Sequence, residues 1–175
     1  MPPKTEKTNA MRLLESKKIA YTAHYYDPAI HSAQGVAEAL HIPAHQIFKT
    51  LVALPAAGKG RPLLAIVPGD NELDLKKLAE AADEKKLRMA TQKEAESLTG
   101  LLVGGISALA LLNKGFRVFL DASANDHSTI LVNGGQRGIN VQLAPKDLAN
   151  VVNARVADLV GDDTDEVAVA SVATP

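Results

Sequence analysis

The chain has 175 residues, 46% of them apolar, with three Phe, three Tyr and no Trp. That suits one domain whose core is built from Leu, Val, Ile and Ala, and the absence of cysteine excludes disulfides and thiolate metal sites. A net charge of −1 argues against a dedicated nucleic-acid binder; yet from Asp158 onward no basic residue occurs, and the preceding body holds 19 basic against 15 acidic residues.

In chain order, residues 1–8 read as a flexible start, 9–160 as the folded domain and 161–175 as an acidic, disordered tail. The start lacks the apolar stretch of a signal peptide and no apolar run reaches membrane-spanning length, so a cytoplasmic chain without membrane contact is expected. A helix is expected from Asn9, as cap, to Lys18, with Leu13 and Leu14 inward. Tyr21–Tyr26 reads as a strand ended by Asp27-Pro28, and Ser32 as the cap of a helix reaching Leu40. Ile47–Leu54 and Leu63–Pro68 read as a hairpin. A helix follows in NELDLKKLAEAAD with Leu75 and Leu78 on one face, then a short strand in KKLRMA. Thr91 and Glu94 have the spacing of a capping box, opening a helix that ends near Gly100. The apolar segment LLVGGISAL is broken by two glycines. Strands are expected at Phe116–Asp121, Ser128–Val132 and Ile139–Leu143, with Asn133-Gly134-Gly135 as a turn, and Pro145 opens a last helix. Without regular βαβ alternation, this order predicts an α+β fold, a mixed and mostly antiparallel sheet or partly open barrel surrounded by helices.

Few residues stand out chemically. Lys49 interrupts the apolar strand IFKTLVAL. It either points to solvent, the commoner case, or forms a cationic pocket floor that holds a phosphate or developing oxyanion. Gly104-Gly105-Ile106-Ser107 either makes a tight turn or presents backbone amides to an anion. Asn133–Gly138 is by default a hairpin turn, with Arg137 on the surface or against a phosphate. His41 and His45 have a metal-ligand spacing, but Pro43 lies between them, so no metal and no cofactor is expected.

Five segments taken together resemble the YbaK family, related to the editing domain inserted in bacterial prolyl-tRNA synthetases: HYYDP, FKTLVAL, LAIVPGDNELDLKKLAEA, TGLLVGGIS and NGGQRGINVQLAPKDL. They cover roughly residues 10 to 160. The resemblance implies the family's editing-domain fold and a trans-acting deacylase that removes cysteine from tRNA(Pro), and from other cysteinyl-tRNA, by hydrolysis or by attack of the cysteine thiol on its own ester. It places the functional lysine at Lys49 and the glycine loop at Gly104 and Gly105. Substrate binding would fall to His24, Tyr25, Tyr26, Thr50, Ile106, Ser107 and Asn140. The implied partners are the acceptor end of aminoacyl-tRNA and, transiently, prolyl-tRNA synthetase, with no DNA and no membrane. Two features depart from the family pattern. Ala108 and Ala110 stand where the loop usually has proline and glycine, and Asn140 stands where an acid is common. These departures leave open clearance of another small amino acid, such as Ala or Ser, or a non-catalytic module that binds tRNA or a synthetase.

Overall fold

The computed structural model describes residues 7–161. The expected flexible start and acidic tail therefore lie, apart from Lys7, Thr8 and Gly161, outside the described residues. Helix α1 (Asn9–Ser16) is capped by Thr8 rather than Asn9. The Thr8 hydroxyl accepts from Met11 N–H at 3.2 Å, whereas Asn9 is already helical and its side chain accepts from Arg12. Strand β1 (Thr22–Tyr25) leads to α2 (Ala33–Leu40), capped by the Ser32 hydroxyl on Gly35 N–H. Strands β2 (Phe48–Pro55) and β3 (Leu63–Pro68) form the expected antiparallel hairpin.

Asp74 caps α3 (Leu75–Ala82), and β4 (Leu87–Met89) follows. The capping box of α4 (Gln92–Thr99) is formed: Glu94 N–H reaches the Thr91 hydroxyl at 3.1 Å and Thr91 N–H reaches the Glu94 carboxylate at 2.9 Å. After a loop come β5 (Arg117–Asp121), β6 (Ile130–Asn133) and β7 (Ile139–Leu143), then α5 (Pro145–Val152) and β8 (Arg155–Ala157).

Two sheets result, in the orders β1-β7-β6 and β4-β2-β3-β5-β8, and they do not close into a barrel. Four of the pairings are antiparallel, as expected; β5 is parallel to both β3 and β8. Every residue of β3 is buried, which fits a central strand with both faces covered. One face of the five-stranded sheet (Phe48, Val52, Leu64, Ile66, Leu120) meets Ile130, Val132, Ile139 and Val141 of the three-stranded sheet, with Met11, Leu14 and Leu148 from helices sealing this larger core. The opposite face (Ala53, Leu63, Ala65, Val67, Phe119) is covered by Leu78, Ala79 and Ala82 of α3. A smaller cluster seats Val36 and Ala37 of α2 on Ile47 and Leu131.

Candidate active site

The site begins with an uneven sheet edge. β4 pairs only with Ala53–Pro55 of β2, and Ala90 N–H adds a bond to the Val52 carbonyl at 3.0 Å. Backbone groups alternate sides along an antiparallel strand. Val52 turns its carbonyl toward β4, and Ile47 turns its own toward Gly69 at the end of β3, at 2.7 Å. The N–H and C=O of Thr50 therefore point away from β3, across the part of the edge that β4 leaves uncovered.

A cavity of about 470 Å³ lies against this edge, within the size range of small-molecule sites. It gathers Tyr26, Lys49, Thr50, Gly104, Ile106 and Asn140 of the residues expected from sequence, and among the described residues its lining holds no Asp or Glu. The Lys49 side chain makes no hydrogen bond or ion pair with a described residue. Burial lowers its pKa, and the Glu72 and Asp70 carboxylates nearby act in the opposite direction. Of the two alternatives for Lys49, it is the cavity wall, not open solvent, that the side chain borders.

Asn140 is only 4% exposed. Its side-chain oxygen accepts from the Tyr26 hydroxyl at 3.0 Å, while its amino end has no partner among the described residues. Burial pushes the Tyr26 phenol up to about 12, with a smaller opposite pull from the Gly138 backbone, so at neutral pH the phenol keeps its proton and can donate it.

The glycine loop is held from outside. Gly104 has φ of +93°, the left-handed region open to glycine. The Asn133 amide donates to the Gly104 carbonyl, and Arg137 Nε donates to the Val103 carbonyl at 2.8 Å. Val103 N–H in turn donates to Glu96 at 2.8 Å. Gly104 N–H and Ile106 N–H have no hydrogen-bond partner among the described residues. Gly105 differs: its N–H donates to the Leu102 carbonyl at 2.7 Å, and a Cβ there would stand 3.0 Å from Arg137 N. Its amide thus closes a turn, and the missing side chain lets two loops pack.

Four expected residues lie apart from the cavity. His24 bonds through Nε2 to the Gln142 side chain at 2.7 Å, and Tyr25 is 40% exposed. Gly105 is behind the loop, and Ser107 is buried with its hydroxyl accepting from Leu109 N–H, opening the short 3-10 turn at Ala108–Ala110. The lining residues that were not expected include His31, Gly69 and Asn133. His31 carries no pattern that separates it from loop residues, and Asn133 reads from the sequence only as the start of a hairpin turn. Gly69 is legible only in three dimensions, where an added Cβ would fall 2.5 Å from Ala33 Cβ and 3.0 Å from the Ile47 carbonyl. Among the described residues no three His, Asp or Glu converge as a metal site. His41 ends α2 in a left-handed conformation, and His45 stacks on His127 with ring centroids 5.2 Å apart. No helix among the described residues is long and apolar enough to cross a membrane.

Comparison with known proteins adds three kinds of likeness. The model of the aminoacyl-tRNA editing domain matches residues 27–151. The chain is 39% identical over 156 residues, 88% of its length and 93% of the relative's, to a protein of Enterococcus faecalis named "Putative Cys-tRNA(Pro)/Cys-tRNA(Cys) deacylase EbsC". It is 29% identical over 140 residues to the proline–tRNA ligase of Fervidobacterium nodosum, covering 76% of this chain but only 24% of that enzyme. Among solved structures, a "putative trans-editing enzyme for prolyl tRNA synthetase" superimposes with a TM-score of 0.74 at 27% identity, over 90% of this chain and all of the other.

Proposed function

The chain belongs to the aminoacyl-tRNA editing domain family, and on that premise we propose that it acts in trans to remove cysteine wrongly attached to tRNA(Pro). The observation that carries this reading is one cavity bordered by the unpaired cation Lys49, the uncommitted amides of Gly104 and Ile106, and the half-buried Tyr26–Asn140 hydrogen bond.

An aminoacyl ester is already activated, so the protein need not supply a nucleophile. Lys49 holds the terminal phosphate or ribose, and the loop amides of Gly104 and Ile106 receive charge as the ester carbonyl becomes tetrahedral. Gly105 contributes by packing, since its N–H is committed to Leu102. Fixing the ester against its attacker is worth on the order of 7–11 kcal/mol in favourable cases. In hydrolysis, water oxygen bonds to the acyl carbon, the ester C–O bond breaks and the departing ribose oxygen takes up the proton that water gives. In the route we favour, the cysteine sulfur forms that bond to its own acyl carbon, its proton passes to the ribose oxygen, and a thiolactone leaves.

Identity to the Enterococcus relative supports cysteine as the acyl group, and likeness to part of a proline–tRNA ligase supports tRNA(Pro). A transient complex with prolyl-tRNA synthetase would supply the tRNA selection that a small cavity lacks. Absence of association by fluorescence binding at low salt, where electrostatic contacts are strongest, would remove that part. Ala108 in place of the loop proline favours one second reading, clearance of Ala or Ser. Cys-tRNA(Pro), Ser-tRNA(Pro) and Ala-tRNA(Pro) compared under the same conditions separate the two. Fast cysteine release with thiolactone detected by mass spectrometry supports substrate-assisted cleavage. Equal rates for Cys and Ser would refute it, because the hydroxyl is a far weaker nucleophile than the thiol.

A further inference from the structure

An α-ammonium group entering the cavity meets no carboxylate in its lining among the described residues; Asp70 and Glu72 act on Lys49 without lining it. The lining's own cation, Lys49, opposes an ammonium, and the remaining lining side chains carry no negative charge. Asn140 is 96% buried, and its oxygen is occupied by the Tyr26 hydroxyl, so the end left without a partner is an N–H donor. A donor repels an ammonium and suits a carbonyl oxygen. Thr50, also in the lining, offers one N–H and one C=O on a strand edge that β4 does not cover. Such an edge pairs with an extended amide, as an added strand would.

We propose that the acyl end of this cavity is a secondary-amide site, so that the protein accepts N-acylated aminoacyl esters of the tRNA terminus at least as well as esters with a free α-ammonium. The N-acyl carbonyl accepts from the Asn140 amide, and the amide N–H donates to the Thr50 carbonyl. The bond cleaved remains the ester: its C–O bond breaks, water or the side-chain thiol supplies the new bond to the acyl carbon, and the ribose oxygen leaves with a proton. The proposal rests on the editing reading of the cavity and adds to it a substrate class.

Two hydrolysis-resistant probes test it, 3′-cysteinylamino-3′-deoxyadenosine and its N-acetyl form. Binding to the full chain is measured by calorimetry at about pH 6, where an α-amino group is charged because its usual pKa is roughly 7.7–8.0. The expected result is affinity for the N-acetyl probe equal to or above that for the free amine. In Asn140→Asp, which restores an acid, preference should swing at least about tenfold toward the free amine, in line with close charge pairing. Wild-type preference of more than about tenfold for the free amine would overturn the proposal and leave the editing reading intact. Failure of both probes to bind would remove the editing reading of the cavity, and the proposal with it. The wild-type comparison stands even if the buried substitution prevents folding.

Discussion

Asn133→Ala tests whether the glycine loop is positioned from the β6 end. Asn133 makes two hydrogen bonds, donating to the Gly104 carbonyl and accepting from Gly135 N–H at 2.7 Å. At roughly 0.5–1.5 kcal/mol net for each, their loss destabilises the fold by about 1–3 kcal/mol. For a domain of this size roughly 2–4 °C accompanies each kcal/mol, so the melting temperature should fall by about 2–12 °C. Deacylation should fall further than stability explains, because Gly104 at φ +93° loses the anchor that aims its amide. Asn133→Asp separates the two bonds: it keeps the acceptor for Gly135 but sets a carboxylate against the Gly104 carbonyl. It should recover part of the melting temperature and none of the rate. The assays are thermal unfolding by circular dichroism and single-turnover release of cysteine from Cys-tRNA(Pro), run well below the lower melting temperature. Wild-type rates in both variants would refute the view that Asn133 sets the loop.

Three further outcomes follow from the fold. Asp121 is buried and accepts from Leu159 N–H at 2.8 Å and from Ser123 N–H at 3.1 Å, so Asp121→Ala should cost about 2–4 kcal/mol in denaturant unfolding. Gly69→Ala should cost about 1–3 kcal/mol and slow turnover, because its Cβ would overlap Ala33 and press on the Ile47 carbonyl at the cavity wall; unchanged values for both would contradict that packing. The Glu94 carboxylate is held at about 2, first by its hydrogen bond from Arg88 and then by Thr91 N–H. Because this pKa is depressed in the fold, its contribution to stability is present above about pH 4.5 and is lost as pH falls toward about 2. Glu94→Gln should flatten that part of an acid-unfolding curve, and an unchanged curve would show that the exposed pair contributes nothing.

Local features were legible where neighbouring residues decide them. Thr91 and Glu94 announce their helix because each satisfies the other's backbone, and Ser32 acts over three residues. Thr8 and Asn9 are both competent caps, and the choice between them depends on where the preceding chain bends. β8 and the parallel pairings of β5 were not legible, since Arg155–Ala157 is three residues long and its partner lies more than thirty positions away. In the site, Lys49 was visible as a misplaced charge, but strand alternation cannot say whether its face meets solvent or a cavity. Gly105 shows the converse: a glycine pair suggests two amides aimed at a ligand, while the fold spends the second on Leu102. The free edge at Thr50 depends on where β4 stops, which no local pattern encodes.

The central claim is tested most directly by following labelled cysteine on Cys-tRNA(Pro) with wild-type protein, with Lys49→Ala and without protein. The account predicts rapid release by wild type and a fall of at least about tenfold in Lys49→Ala, with unchanged thermal unfolding, as expected for loss of a positioning and charge-stabilising group. Release at the uncatalysed rate by wild type, or equal rates for wild type and Lys49→Ala, would contradict it.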